Sequence, residues 1–173
     1  GVANPVAALA GMQHTEQAHV ATLTSSFDEF QKQRSAKVFA DTRRQLRRLG
    51  ELGTVQLLID TTAPQRAQVV DAMARQKARR WHETGSRDLF AEEGYLAFYQ
   101  GLAAQGLGGG AVVVSALYVD EHLVATHWGI RYGKRFYWLM PGYEDGEWGR
   151  YSVGRILLDA VVRDCIAQGL ALF

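Results

Sequence analysis

The feature that most limits the fold is a change of period after the glycine run Gly108-Gly109-Gly110. Upstream, apolar residues recur at helical spacing. Downstream comes AVVVSALYV (Ala111 to Val119), an apolar run, followed by HLVATHWGIRY, which alternates Val124, Thr126, Trp128 and Ile130 against Leu123, Ala125, His127 and Gly129, and then by RFYWLM. The joints, Asp120-Glu121 and Tyr132-Gly133-Lys134, are short enough only for hairpin turns. Residues near 111–119, 122–132 and 135–140 therefore read as three strands of an antiparallel meander.

The flanking segments supply helices to cover it. Phe27, Phe30, Val38, Leu46 and Leu49 are spaced among charges from Ser26 to Leu49, the pattern of one or two amphipathic helices stopped at Gly50. TVQLLID (Thr54 to Asp60) reads as a buried strand, Pro64 opens a helix carrying Val69, Val70 and Met73, and EEGYLAFYQGLAAQG reads as another helix. Arg155 to Gln168 carries the polar stripe Arg155, Asp159, Arg163 while most of its other positions are apolar, so this helix lies on a sheet. Gly169 ends it in the left-handed conformation, and LALF begins a strand that a right-handed crossover sets parallel to the third meander strand. The expected class is α/β, with a mixed sheet made of the meander and one parallel crossover strand.

At 173 residues the chain forms one core and one domain, residues 1–25 being a polar segment without a defined element. Gly1 in place of Met reads as a piece of a longer protein, and the sheet is expected to be incomplete at its C-terminal end, with apolar surface open around Leu172 and Phe173. That open edge allows a homo-oligomer. Nineteen basic residues face eighteen acidic ones, so electrostatic function must come from local clustering. Lys32, Arg34, Lys37, Arg43, Arg44, Arg47 and Arg48, continued by Arg75, Lys77, Arg79 and Arg80, make a basic run, but it lacks interleaved aromatics, and nucleic-acid binding is not favoured. No apolar run spans a bilayer, no export signal opens the chain, and the lone Cys165 forms no internal disulfide, which together fit a cytoplasmic setting.

The chemistry concentrates around GRYSVGRILLD. A polar, glycine-flanked loop entering a helix presents backbone N–H groups, and Arg150 and Arg155 stand beside them; the arrangement suits a phosphate or pyrophosphate. The plainer alternative is a helix capped by Ser152. Tyr137, Trp138, Tyr143 and Trp148 form an aromatic group that suits a sugar ring or acyl chain, or serves as core. Glu144, Asp145 and Glu147 are an acidic patch fit for a cationic amine or a solvated loop. His127 is either a proton acceptor or a strand histidine with a structural hydrogen bond. No metal-ligand spacing, P-loop, Gly-x-Ser-x-Gly or dinucleotide fingerprint is present.

From about Arg34 onward, RRQLRRLGELGTVQLLID, LVATHWGIRYGKRFYWLMPGYEDGEWGRYSVGRILLD and AQGLALF resemble the GNAT acyltransferase superfamily, with the nearest likeness to CelD/BcsL-type acetyltransferase domains, which are related to Fem-type aminoacyl transferases. The resemblance implies an acyltransferase that takes acetyl-CoA or another acyl-CoA. The pyrophosphate would lie on the loop Arg150, Tyr151, Ser152, Val153, Gly154 and Arg155. The pantetheine would lie between Phe136 to Met140, including Leu139 and Met140, and Leu170 to Phe173. His127 would be the catalytic base, and Tyr137, Trp138, Tyr143 and Glu144 would meet a small-molecule or glycan acceptor. Arg150 and Gly154 stand one residue further apart than the family's loop spacing, and Ser152-Val153-Gly154 replaces the usual Ser-Pro-Gly. A non-catalytic scaffold in polysaccharide biosynthesis is the alternative function.

Overall fold

The computed structural model of the chain describes residues 19–106 and 110–173. Gly108 and Gly109 of the expected hinge, and the first eighteen residues of the N-terminal segment, lie outside the described residues. In chain order the elements are α1 (Phe27–Lys32), α2 (Ala36–Gly50), β1 (Val55–Leu58), α3 (Ala63–Glu83), α4 (Tyr95–Gln105), β2 (Gly110–Val119), β3 (His122–Tyr132), β4 (Arg135–Tyr143) and α5 (Val153–Ala167). Short 3₁₀ turns stand at Leu89–Ala91 and Gly149–Tyr151.

Local chemistry explains the boundaries. The Ser26 hydroxyl accepts from the Glu29 amide at 3.2 Å and starts α1. Pro64 sits in the first turn of α3, where it has no N–H to lose, while the Gln65 side chain accepts from the Thr62 amide at 3.2 Å. Gly169, with φ of 71°, closes α5 as the sequence implies. At the β2–β3 turn Asp120 takes φ of 49° and its carboxylate accepts from the Thr54 amide at 2.8 Å, which ties the start of β1 to the hairpin.

The sheet runs β1-β2-β3-β4, each neighbouring pair antiparallel, with the meander where its period places it and β4 continuing through Pro141 to Tyr143. Its mixed character comes from the chain's last residues, where Leu172 bridges Arg135 in the parallel sense. The Phe136 amide donates to the Leu172 carbonyl at 3.0 Å.

The far side of this terminal segment is not bare. Ala21 and Phe173 exchange both backbone hydrogen bonds, at 2.7 and 2.9 Å, and the Leu23 amide donates to the Ala171 carbonyl at 2.9 Å. The N-terminal segment thus supplies an antiparallel neighbour, and Leu172 and Phe173 are half-buried rather than open as the sequence suggests. Pairing satisfies backbone groups that an edge would leave to water.

Alternation sends side chains to two layers. Val113, Leu117, Ala125 and Phe136 pack with Leu157 and Val161 of α5 and with Phe30 and Leu49. Val112, Val114, Ala116, Trp128 and Met140 pack with Val69, Val70 and Met73 of α3 and Ala103 of α4. Each fully buried valine or leucine contributes about 1.5–3 kcal/mol. Cys165 is buried in the first layer, where burial pushes its thiol up to about 12.

One polar network crosses the second layer. Gln76, 1% exposed, donates to the Leu123 carbonyl at 3.2 Å and to Glu144 at 3.0 Å, and accepts from the Thr126 hydroxyl at 2.7 Å. Gly142 makes room for it: a Cβ there would stand 2.6 Å from Thr126 Oγ1 and 2.7 Å from Gln76 Oε1. Gly142→Ala should therefore disrupt the network and cost about 2–3 kcal/mol in urea unfolding; a loss under about 0.5 kcal/mol would mean that Gln76 moves freely.

Candidate active site

A bulge sets the geometry. Trp128 pairs with Met140 but Gly129 pairs with Trp138, so Leu139 is an extra residue in β4. Simple alternation would put Trp138 and Met140 on one face. The bulge separates them: Met140 joins the α3 layer, and Trp138 turns to the α5 side.

On that side the Trp138 indole lies flat on the His127 imidazole, with centroids 3.7 Å apart and planes 6° from parallel. Phe136 stacks on Phe173 at 5.4 Å, and the His127 and Phe136 centroids are 5.6 Å apart. His127 is fully buried, and neither ring nitrogen has a hydrogen-bond partner among the described residues. Burial pushes its pKa down to about 3, so the imidazole is neutral at any ordinary pH.

A cleft of about 570 Å³ opens beside β4. Phe136, Tyr137, Trp138 and Leu139 form one wall, Leu158, Leu172 and Phe173 contribute from α5 and the terminal segment, and His19 to Ala21 complete it. Beyond Phe136 the outer edge of β4 has no strand partner among the described residues, so its backbone amides and carbonyls border this space. His127 does not line the cleft; Trp138, stacked on it, does.

At the end of β4 the chain turns into α5. Ser152 takes φ of 53° and its hydroxyl makes no capping bond, so the helix begins at Val153 without the serine cap that the sequence offers. The Arg155 and Ile156 amides close on the Ser152 carbonyl at 2.9 and 3.1 Å, while those of Val153 and Gly154 have no acceptor among the described residues. Those two are the donors a helix start leaves for an anion. Gly154 abuts the Tyr143 ring, where an added Cβ would meet Cδ1 at 3.3 Å.

The flanking arginines divide. Arg150 is exposed, its guanidinium 5.0 Å from the Tyr151 ring centroid, and Tyr151 is itself buried with Arg48 5.3 Å away. Arg155 is ion-paired with Asp41 of α2. Glu144 is not a free acid either, since Arg79 and Gln76 hold its two oxygens. Asp145 and Glu147 are exposed. In α3, Arg79 and Arg80 both approach Glu83, which breaks up the basic run.

The cleft and α5 thus share one side of the sheet with Trp138, while Tyr137, opposite Ile130 of the α3 layer, and the bulged Leu139 border the cleft from the edge of β4. Met140 is on the opposite face, and Tyr143 and Glu144 serve packing and the Gln76 network. Sequence reasoning missed Leu158, the wall formed by His19 to Ala21, and the ion pair that fastens Arg155.

A family model described as an acetyltransferase (GNAT) domain matches residues 36–173. The chain belongs to the GNAT family. No curated protein matches it by sequence. Membership supports an acyltransferase function on a small-molecule acceptor, and GNAT domains generally use acetyl-CoA or another acyl-CoA as co-substrate. Among the described residues no helix is long and apolar enough to cross a membrane, and no group of three or more His, Cys, Asp or Glu is placed to hold a metal ion.

Proposed function

We propose that this GNAT domain transfers an acyl group, acetyl in the simplest case, from coenzyme A to an amine or hydroxyl of a small molecule, amino sugar or glycan. The observation that carries the reading is the unpaired edge of β4 facing an apolar cleft that Leu158 of α5 helps to wall. Pantetheine is a thin chain with two amides, and such an edge offers it strand-like hydrogen bonds beside apolar walls. The Val153 and Gly154 amides, with Arg150 alongside, would receive the pyrophosphate. The likeness to CelD/BcsL-type domains extends the reading to a cytoplasmic enzyme of polysaccharide assembly.

In the reaction the acceptor nitrogen or oxygen attacks the thioester carbonyl and gives up a proton; the tetrahedral oxyanion needs a donor, and its collapse breaks the carbon–sulfur bond and releases coenzyme A as a thiolate that takes up a proton. Amides of the β4 edge near the Leu139 bulge supply that donor. His127 takes the proton. In the resting state it is neutral and covered, and swinging the Trp138 ring off it would let water in and lift its pKa toward the ordinary value near 6.5.

Two measurements test this. Calorimetric titration should show coenzyme A and acetyl-CoA binding, and binding of neither overturns the reading. His127→Ala should leave binding nearly unchanged and lower turnover by about 10²-fold or more, because a general base is worth that order. Full turnover in His127→Ala would make the histidine purely structural. Gly154→Val is the weaker probe, because its side chain would press on Tyr143 as well as on any phosphate.

A further inference from the structure

One corner of the sheet is left uncovered, at the β3–β4 hairpin and thus at the end of β4 away from the start of α5. Cross-strand partners share a face, and Tyr132 pairs with Arg135 as Ile130 pairs with Tyr137. Ile130 packs in the α3 layer, so Tyr132, Arg135 and Tyr137 stand on that face of the sheet, opposite Phe136. The layer stops short of them: Tyr132 is 57% exposed and Tyr137 42%. A depression of about 440 Å³ lies among these side chains, the Gly133-Lys134 turn, Ala171 and Leu172. It adjoins the cleft along Arg135, Tyr137 and Leu172, which line both.

The charge here is one-sided. Lys134 and Arg135 are exposed and make no ion pair among the described residues. No acidic residue among those described lines the depression or the cleft. Arg131, on the neighbouring strand, shares the other face with Phe136 and donates to Gln168. Glu144, Asp145 and Glu147 follow the opposite end of β4. Two unopposed cations attract an anion and repel a cationic acceptor such as a polyamine. Beside them the exposed tyrosine rings offer apolar faces with wet hydroxyl ends, a surface on which the C–H face of a sugar can rest. Arg135 and the Leu139 bulge are four residues apart, roughly 13 Å of extended strand, and long cationic side chains reach back over part of that length. One sugar ring carrying its anion spans the remainder.

We infer that the acceptor is a negatively charged sugar. Its amine or hydroxyl meets the reacting carbonyl near Leu139, its ring lies on Tyr137, and its phosphate or carboxylate is held by Lys134 and Arg135. The inference rests on the acyltransferase reading of the cleft and narrows its acceptor to an anionic class.

The test is a ligand-detected NMR titration of the protein with glucosamine, glucosamine 6-phosphate, 2-amino-2-deoxyglucuronic acid and inorganic phosphate. Coenzyme A is present throughout, so that its own phosphate sites are filled, and its binding is measured first. The parent should bind at least one of the two anionic sugars at least about tenfold tighter than glucosamine, as charge-assisted hydrogen bonds imply, and the one preferred names the anion. Lys134→Gln/Arg135→Gln, at two exposed positions, should keep the parent's urea midpoint and bind both anionic sugars only as tightly as glucosamine. Tyr137→Ala should weaken all three sugars and leave inorganic phosphate unchanged. Equal binding of the three sugars to the parent, or binding of none, overturns the inference and leaves the acyl-CoA reading standing where coenzyme A binds. A preference that survives in the double variant overturns it by putting the anion elsewhere. Inorganic phosphate bound as tightly as the sugar phosphate overturns it by removing the sugar. If coenzyme A does not bind the parent, the acyl-CoA reading fails and the inference with it.

Discussion

Gly129→Ala is expected to cost more than about 3 kcal/mol, a large share of the 5–15 kcal/mol that holds a domain of this kind together. A Cβ at Gly129 would overlap the backbone carbonyl oxygen of Tyr137 and would stand 2.6 Å from His127 Cε1 and 2.7 Å from Nε2. The carbonyl belongs to β4 and cannot step aside without breaking the β3–β4 ladder beside the bulge. The imidazole has nowhere to go, because Trp138 lies flat on it. Gly154→Ala provides the contrast: its Cβ meets only the edge of the Tyr143 ring at 3.3 Å, and that ring is partly solvent-exposed and can yield. It should cost less than about 1 kcal/mol. Urea unfolding of both variants against the parent decides the matter. A Gly129→Ala protein within about 1 kcal/mol of the parent would mean that the carbonyl and the imidazole are not packed against Gly129.

The same corner shows how far sequence carries and where it stops. The meander is legible because period-two alternation and two-residue turns are local properties, and α5 is legible because an apolar helix ending in Gly169 needs no distant partner to be recognised. Alternation alone, however, assigns Trp138 and Met140 to one face. The extra residue Leu139 leaves no local mark, yet it turns Trp138 onto His127 and determines that the histidine is covered. Ala21 to Leu23 pair with Ala171 to Phe173 through three backbone bonds, and a segment of three residues has no period to detect. Arg155 reads as a phosphate ligand because the sequence places it at a helix start. Its partner Asp41 lies 114 residues away, on a helix whose own face shows only an amphipathic pattern. Glu144 likewise looks like a free surface acid until α3 brings Gln76 and Arg79 against it.

Acid should destabilise this protein well before its ordinary carboxylates titrate, and His127 is the expected cause. Unfolded, its imidazole takes a proton near pH 6.5; folded, burial holds its pKa at about 3. Between those values the unfolded chain binds a proton that the native protein refuses. The stability contributed by the neutral histidine is complete above about pH 6.5, and it falls by about 1.4 kcal/mol per pH unit until the pH nears 3. Among the described residues no acidic group offsets this, since the rings against the imidazole are Phe136 and Trp138 and its cross-strand neighbours are Ser115 and Pro141. Asp41, held low by Arg155 and Arg44, adds loss in the same direction only at the acid end, and Asp164, raised by burial, acts in the opposite sense. The diagnostic quantity is therefore a difference in slope. Urea unfolding from pH 7 to pH 4 should show the parent losing stability across the whole range. His127→Leu should show a slope shallower by about 1.4 kcal/mol per unit, whatever its stability at pH 7. That variant also removes two ring nitrogens that are buried without partners, an arrangement that costs about 1–3 kcal/mol, so it should be no less stable than the parent at pH 5. Parallel slopes in parent and variant would place the imidazole in contact with water. A folding cost carried at one covered histidine beside an open cleft accords with the proposed role of His127 as the base.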